Sequence, residues 1–393
     1  MLTEAASLAN RVASSLLERN AIYERFFAAE AERLALACRD MASRFLEGGR
    51  LLAFGRGPYA TDAQHVSVEF VHPVIVGKRA LPALDISMAF QSWVNAIVQP
   101  QDIAMGFGPP HGDPEVACVL AGAAERGAMT FALPGRKASY AFEASAPPFQ
   151  HQEMIEILYH TLWETVHVFF ERKELGHDVG DAGFLYPFLG REKQASGDVV
   201  SEVAASIRMK VDDDAQLRTR VAGEEAGVIA GAVDAIRDRL RRGGKLIIFG
   251  NGGSATDAND WALDCILPPA GRQPIPAVSL SLEPANITAL ANDIGAEVIF
   301  LRQLMAQARP EDIAVAISTS GGSRNIVMAL EEARKRKLLT IGLLGYDGGE
   351  IVRRGLADHA LVVHSDYIPR IQEVQASIYH AITELLFEGD AVA

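Results

Sequence analysis

Two short segments rich in glycine and hydroxyls carry the clearest chemistry in the sequence. Asn251-Gly252-Gly253-Ser254 lies between an apolar run, KLIIFG, and a segment of helical character, ATDANDWALDCI. Glycines at such a turn let the backbone approach a ligand closely, and the helix start that follows presents unpaired N–H groups and a partial positive charge. Ser254 adds a hydroxyl donor. The arrangement recurs at Ser318-Thr319-Ser320-Gly321-Gly322-Ser323, after the apolar run IAVAI and before another helical segment. Hydroxyls at four of those six positions can reach every oxygen of one phosphate. Neither loop has the GxxxxGK or GxGxxG spacing, so no nucleotide cofactor is expected. Two such loops at matching positions point to a phosphate-bearing small molecule.

The elements that must hold these loops come from a duplication. Residues 48–65 read GGRLLAFGRGPYATDAQH and residues 243–260 read GGKLIIFGNGGSATDAND, an offset of 195 that holds through Glu69 and Asp264. LPALDIS from Leu81 matches IPAVSLS from Ile275, and DIAMGFG from Asp102 matches DIAVAIS from Asp312. Near the ends, HQEMIEILYH from His151 matches IQEVQASIYH from Ile371, where the offset has grown to 220. Each copy alternates short apolar runs with helical patterns, which predicts a parallel sheet covered on both faces. In the second copy PAVSLS, IAVAIST, LTIGLLG and HALVVHS are further strand candidates, and SRNIVMALEEARKRK and IQEVQASIYHAITELLFE have helical spacing. Long helical stretches, 3–46 and roughly 198–241, precede the first strand of each copy. Residues 171–198 have no clean period and read as a linker, giving domains 1–190 and 191–393.

Composition narrows the class. A chain of 393 residues with 49% hydrophobic content suits two well-packed domains. The net charge of −13 argues against a nucleic-acid partner, and the cluster Arg239, Arg241, Arg242, Lys245 reads as the solvated end of a helix. No apolar run approaches the roughly 20 residues of a membrane span. The N-terminal segment lacks a signal-peptide pattern, and Cys38, Cys118 and Cys265 have no disulfide or metal spacing. A cytoplasmic protein is the expectation.

NGGSATDA, ANDIGAEVIFLRQL, ISTSGGSRN, GLLGYDGG and RIQE followed by a histidine resemble the SIS (sugar isomerase) family. Within it they are most similar to the phosphoheptose isomerases. The resemblance covers the second copy almost end to end, and the first copy over the same length with altered motifs. It implies an α/β fold of two SIS domains, each a parallel five-stranded sheet flanked by helices (flavodoxin-like, doubly wound). The implied reaction interconverts sedoheptulose 7-phosphate and glycero-manno-heptose 7-phosphate through an enediol. A carboxylate base moves the proton, and an acid or a metal polarises the oxygens.

Carried over by position, the resemblance gives the first copy a zinc-binding set, His65, Glu69, Gln152 and His160, with Glu69 and His160 catalytic. Its loops have become Arg56-Gly57-Pro58-Tyr59 and Gly106-Phe107-Gly108-Pro109-Pro110-His111; proline offers no N–H to an anion. The second copy keeps its loops, with Asn251, Gly252, Gly253, Ser254, Ser318, Thr319, Ser320 and Ser323 as phosphate contacts. Asp293 and Gln372 join them as substrate contacts, and His380 is catalytic. Asp260 and Asp264, however, stand where the family has histidine and glutamate.

The ten residues between Ser254 and Asp264 span ~15 Å of helix, more than the roughly 10 Å of an extended seven-carbon sugar phosphate. A composite site is therefore expected, with phosphate on the second copy and His65 and Glu69 supplied across a pseudo-twofold interface. The resemblance also implies a homo-oligomer, a dimer mimicking a four-domain tetramer. The alternative function is a non-catalytic sugar-phosphate-binding regulatory or accessory protein, favoured by Asp260 and Asp264. An isomerase or lyase for another phosphosugar ranks third.

Overall fold

The computed structural model describes residues 2–73, 78–144, 146–174 and 199–388. It divides into two compact units, 21–213 and 1–20 with 214–393. The expected boundary near 190, and nearly all of the expected linker, lie outside the described residues.

In the first unit the order is β1 (Leu51–Phe54), α2 (Tyr59–Val71), β2 (Ala83–Asp85), α3 (Phe90–Ile97), β3 (Ile103–Phe107), α4 (Pro114–Glu125), β4 (Met129–Leu133), β5 (Tyr140–Ala141) and α5 (Pro148–Glu174). The second runs α7 (Ala226–Arg241), β6 (Leu246–Gly250), α8 (Gly253–Ile266), β7 (Ala277–Ser279), α9 (Pro284–Asp293), α10 (Ile299–Gln307), β8 (Ile313–Ser318), α11 (Arg324–Lys335), β9 (Leu339–Gly345), α12 (Gly349–Arg353), β10 (His359–Val363) and α13 (Ile368–Glu388). Two long helices, α1 (Leu2–Leu46) and α6 (Val199–Glu224), each contribute residues to both units. The stretch expected as one helix over 198–241 is interrupted at Glu225, between Gly223 and Gly227, which weaken helix continuity.

Both sheets have five parallel strands, ordered β2-β1-β3-β4-β5 and β10-β9-β8-β6-β7. Counted from each unit's own first strand, the order is 2-1-3-4-5 in both, the flavodoxin-like doubly wound arrangement. Its chain reversal falls between the first and third strands, where such sheets bind ligands. The central strands LLAF, IAMGF, MTFAL, LIIFG, IAVAIS and LTIGLLG are buried along their whole length, as a sheet covered on both faces demands. On α1, Leu8, Val12 and Leu16 join the second unit's core, while Tyr23, Phe27, Leu34 and Met41 join the first unit's. That stripe at three- and four-residue spacing explains why so long a helix is stable.

The duplication extends to ion pairs between a half-buried basic residue and a buried aspartate. Arg50 Nη2 lies 2.7 Å from Asp102 Oδ2, and Lys245 Nζ lies 2.6 Å from Asp312 Oδ2. In each case the other carboxylate oxygen accepts the basic residue's own backbone N–H. Lys245 and Arg239, which also donates to the Pro310 and Lys337 carbonyls, therefore tie elements together rather than forming a merely solvated helix end. No helix among the described residues is long and apolar enough to cross a membrane.

Candidate functional site

In the second unit both hydroxyl-rich loops sit at the carboxyl ends of neighbouring strands, β6 and β8, at the chain-reversal point. The first turn of α8 has no side-chain cap: its N-cap is Gly252, at φ 58°, and the next residues are Gly253 and Ser254. Helix α11 likewise starts from Ser323 without a side-chain cap. Uncapped helix starts leave N–H groups for an anion. Ser318 is buried, and its Oγ accepts the Gly321 N–H at 3.1 Å, so the hydroxyl shapes the loop while its proton stays available to a ligand. Ser320 Oγ accepts the Gly322 N–H in the same way. Gly321 has φ 59°, and a Cβ there would meet the Gly348 carbonyl at 2.2 Å, so the GYDGG segment packs directly against this loop.

The first unit's equivalent loop is closed by its own residues. Leu51 pairs with Ile103 as Leu246 pairs with Ile313, which makes Gly108–Pro109–Pro110–His111–Gly112–Asp113 the counterpart of the 318–323 loop. The expected pairing with 106–111 is thus corrected by two residues, because the β3 strand continues through Phe107. Asp113 takes the place of Ser323 and caps α4, accepting from the N–H groups of Glu115 and Val116 at 2.8 and 3.2 Å. An internal carboxylate therefore holds the helix start that an anion would need. Arg56, the counterpart of Asn251, faces Glu115 at 3.1 Å and Asp113 at 3.7 Å. Behind it, buried His151 bonds through Nε2 to the Gly108 carbonyl at 3.1 Å, and burial lowers its pKa to about 4.

The first unit does bring three of the expected metal ligands together. On α2, His65 and Glu69 lie one turn apart, with His65 Nε2 3.8 Å from Glu69 Oε1. His160 on α5 places its Nε2 3.4 Å from His65 Nε2, and all three side chains are buried. Tetrahedral zinc with ligands at ~2.0 Å separates them by about 3.3 Å, so this donor set fits zinc in chemistry and spacing. Gln152 is buried eight residues earlier on the same helix, ~12 Å along its axis.

At the corresponding positions the second unit builds a different cluster. His380 Nε2 lies 3.0 Å from Asp264 Oδ2 and 3.5 Å from Asp260 Oδ2, and Tyr379 Oη donates to Asp260 Oδ2 at 2.7 Å. Two carboxylates and one imidazole make a harder, oxygen-rich set than that of the first unit. Gln372 is buried near the start of α13, and its Oε1 has no hydrogen-bond partner among the described residues. Asp293 is not joined to either loop by a hydrogen bond or ion pair among the described residues; exposed at the end of α9, it accepts from Asn292. Tyr379, Asp113 and Asn325 escaped the sequence reading. The YH pair repeated in both copies was a signal for the first, and the residue N-terminal to Pro114 was a capping signal for the second.

The SIS domain model matches residues 211–345. A phosphoheptose isomerase of a Geobacter species is 38% identical over 189 residues, 48% of this chain and 95% of the relative. One from Chlorobaculum tepidum is 42% identical over 176 residues, 44% of this chain and 83% of the relative. A solved structure of a candidate tagatose-6-phosphate ketose/aldose isomerase from Clostridium novyi shares the fold at a TM-score of 0.56 and 11% identity, covering 95% of this chain and 88% of that one. With two flavodoxin-like sheets and these relatives, the chain belongs to the SIS-domain family and, over about half its length, to the phosphoheptose isomerase branch of it.

Proposed function

We propose that this chain is a phosphosugar aldose–ketose isomerase that interconverts sedoheptulose 7-phosphate and glycero-manno-heptose 7-phosphate. The single observation that carries the reading is complementary retention. The second unit keeps two glycine- and hydroxyl-bearing loops at helix starts whose N-cap residues, Gly252 and Ser323, make no side-chain cap, and the first keeps the buried His65–Glu69–His160 set. A working isomerase needs one of each. Asn251, Gly252, Gly253, Ser254, Ser318, Thr319, Ser320 and Ser323 would hold the phosphate, with Gln372 and Asp293 toward the sugar.

In the forward direction Glu69 takes a proton from C1 of the ketose as the C2 carbonyl becomes an enediol hydroxyl. Return of that proton to C2, with the C1 hydroxyl losing its own, gives the aldose. His65, Glu69 and His160 would hold zinc, with Gln152 as the fourth position the resemblance implies; zinc when bound supplies polarisation of the substrate oxygens. His380, held by Asp264, is a second candidate acid. A homodimer with four α/β units is the expected assembly.

The test is an NMR assay of the purified chain with sedoheptulose 7-phosphate, with and without zinc. Appearance of the aldoheptose phosphate supports the isomerase. Ligand-dependent thermal stabilisation without turnover favours the second reading, a sugar-phosphate-binding regulatory protein, which the replacement of the family's histidine and glutamate by Asp260 and Asp264 supports.

A further inference from the structure

Both units tie their two loops together at the same pair of positions, with different chemistry. In the second unit Asn251 Nδ2 donates to Asn325 Oδ1 at 3.0 Å, and Asn325 Nδ2 donates back to Asn251 Oδ1 at 2.9 Å. Asn251 opens the first loop; Asn325 is the second residue of α11, immediately beyond the other. By the strand registers their counterparts are Arg56 and Glu115, whose Nη1 and Oε1 lie 3.1 Å apart. Both residues differ between the copies, yet the contact survives. Divergence that exchanges a reciprocal amide pair for an ion pair points to a requirement on distance rather than on residue type. Asn325 Oδ1 also accepts the Ile326 N–H at 2.9 Å, which anchors the amide to the helix start.

We propose that Asn325 is a positioning residue: it clasps Asn251 and thereby fixes the two loops at the separation that one phosphate spans. This rests on the reading of those loops as a phosphate cradle. The loops follow separate strands, so without the clasp their N–H and hydroxyl donors must be brought into register as the ligand binds, which weakens binding. The chemistry of the clasp also selects the unit. The amide pair adds no charge beside the anion, whereas in the first unit Glu115 and Asp113 place two carboxylates at that mouth against the single guanidinium of Arg56.

The experiment compares the full-length parent with Asn325→Ala, Asn251→Ala, the double variant and Glu115→Ala. It measures inorganic phosphate and sedoheptulose 7-phosphate binding by calorimetry, and backbone hydrogen exchange of 251–254 and 318–323 without ligand. Asn325→Ala should weaken both ligands about five- to tenfold and speed exchange in both loops, with the melting temperature held. The double variant should bind no more weakly than Asn251→Ala, because the two residues act as one device. Glu115→Ala should leave phosphate affinity unchanged. Parent-like affinity and unchanged exchange in Asn325→Ala would overturn the clasp, as would fully additive losses. A parent that binds neither ligand overturns the cradle reading and the ligand named here, and faster loop exchange in Asn325→Ala would then support the clasp alone.

Discussion

His160 Nε2 faces His65 Nε2 at 3.4 Å in the buried interior of the first unit. Between two neutral imidazoles such a contact works only if one nitrogen carries the proton and the other accepts it; two lone pairs meet there only around a cation. In the second unit Asp260 stands at the position of His65 and Asp264 at that of Glu69; His380 Nε2 lies 3.5 Å from Asp260 Oδ2 and 3.0 Å from Asp264 Oδ2, contacts satisfied without any ion. Two substitutions on one helix thus change both the ligand class and the need for a metal.

Zinc should accordingly belong to the first unit. Purified chain is expected to retain about one zinc per molecule by elemental analysis, and added zinc should raise its melting temperature. His65→Gln and His160→Gln should each lower zinc affinity by at least roughly tenfold. Asp260→Asn should leave the stoichiometry unchanged. Equal zinc content in all four proteins would remove the metal from this cluster.

Glu69→Gln keeps the size and burial of the side chain but removes its basicity. Turnover of sedoheptulose 7-phosphate should fall by about 10²–10⁴, the usual worth of a positioned general base. Phosphate affinity, measured by calorimetry, should stay within about twofold of the parent. Asp264→Asn is expected to cost far less turnover. If the two variants are equally impaired, the base is not confined to the first unit.

The closed loop of the first unit gives a third expectation. Asp113→Ala removes the cap of α4 and should cost about 1 kcal/mol of stability in denaturant unfolding. It should leave phosphate affinity untouched, whereas Ser323→Ala at the equivalent position should weaken phosphate severalfold. Loss of phosphate binding in Asp113→Ala would mean that the first loop serves the ligand after all.

Both five-stranded sheets were legible because the strands are continuous apolar runs, and the repeat located them twice. The phosphate loops were legible because their function lies in local sequence: glycines and hydroxyls between a strand and a helix. What the sequence left hidden is long-range pairing. Asn325 and Asn251 are 74 residues apart, and Tyr379 and Asp260 are 119 apart, so nothing in either neighbourhood announces the contact. The first unit's loop was misplaced by two residues because its prolines and glycines share no motif with STSGGS; the match of DIAMGFG with DIAVAIS already sets Gly108 opposite Ser318, and the strand register gives the same pairing.

His151 provides a pH-dependent test of that closed loop. Its ring is fully buried, Nε2 is bonded to the Gly108 carbonyl, and Nδ1 has no hydrogen-bond partner among the described residues. Burial therefore holds the ring neutral and lowers its pKa from 6.5 to about 4. The unfolded chain takes up this proton near pH 6.5 and the folded chain only near pH 4, so between those values the unfolded state binds more protons. Stability is then full above about pH 6.5, falls as the pH drops, and levels off below about 4. The shift corresponds to about 3 kcal/mol at most. His151→Ile, which installs the residue found at the equivalent second-unit position, Ile371, should remove this share of the acid sensitivity. Urea unfolding at pH 7, 5.5 and 4.5 reads it directly: the parent should lose stability more steeply than the variant. Parallel losses would mean that the ring is hydrated or charged in the folded chain, and that the first unit's loop is open to solvent rather than sealed behind it.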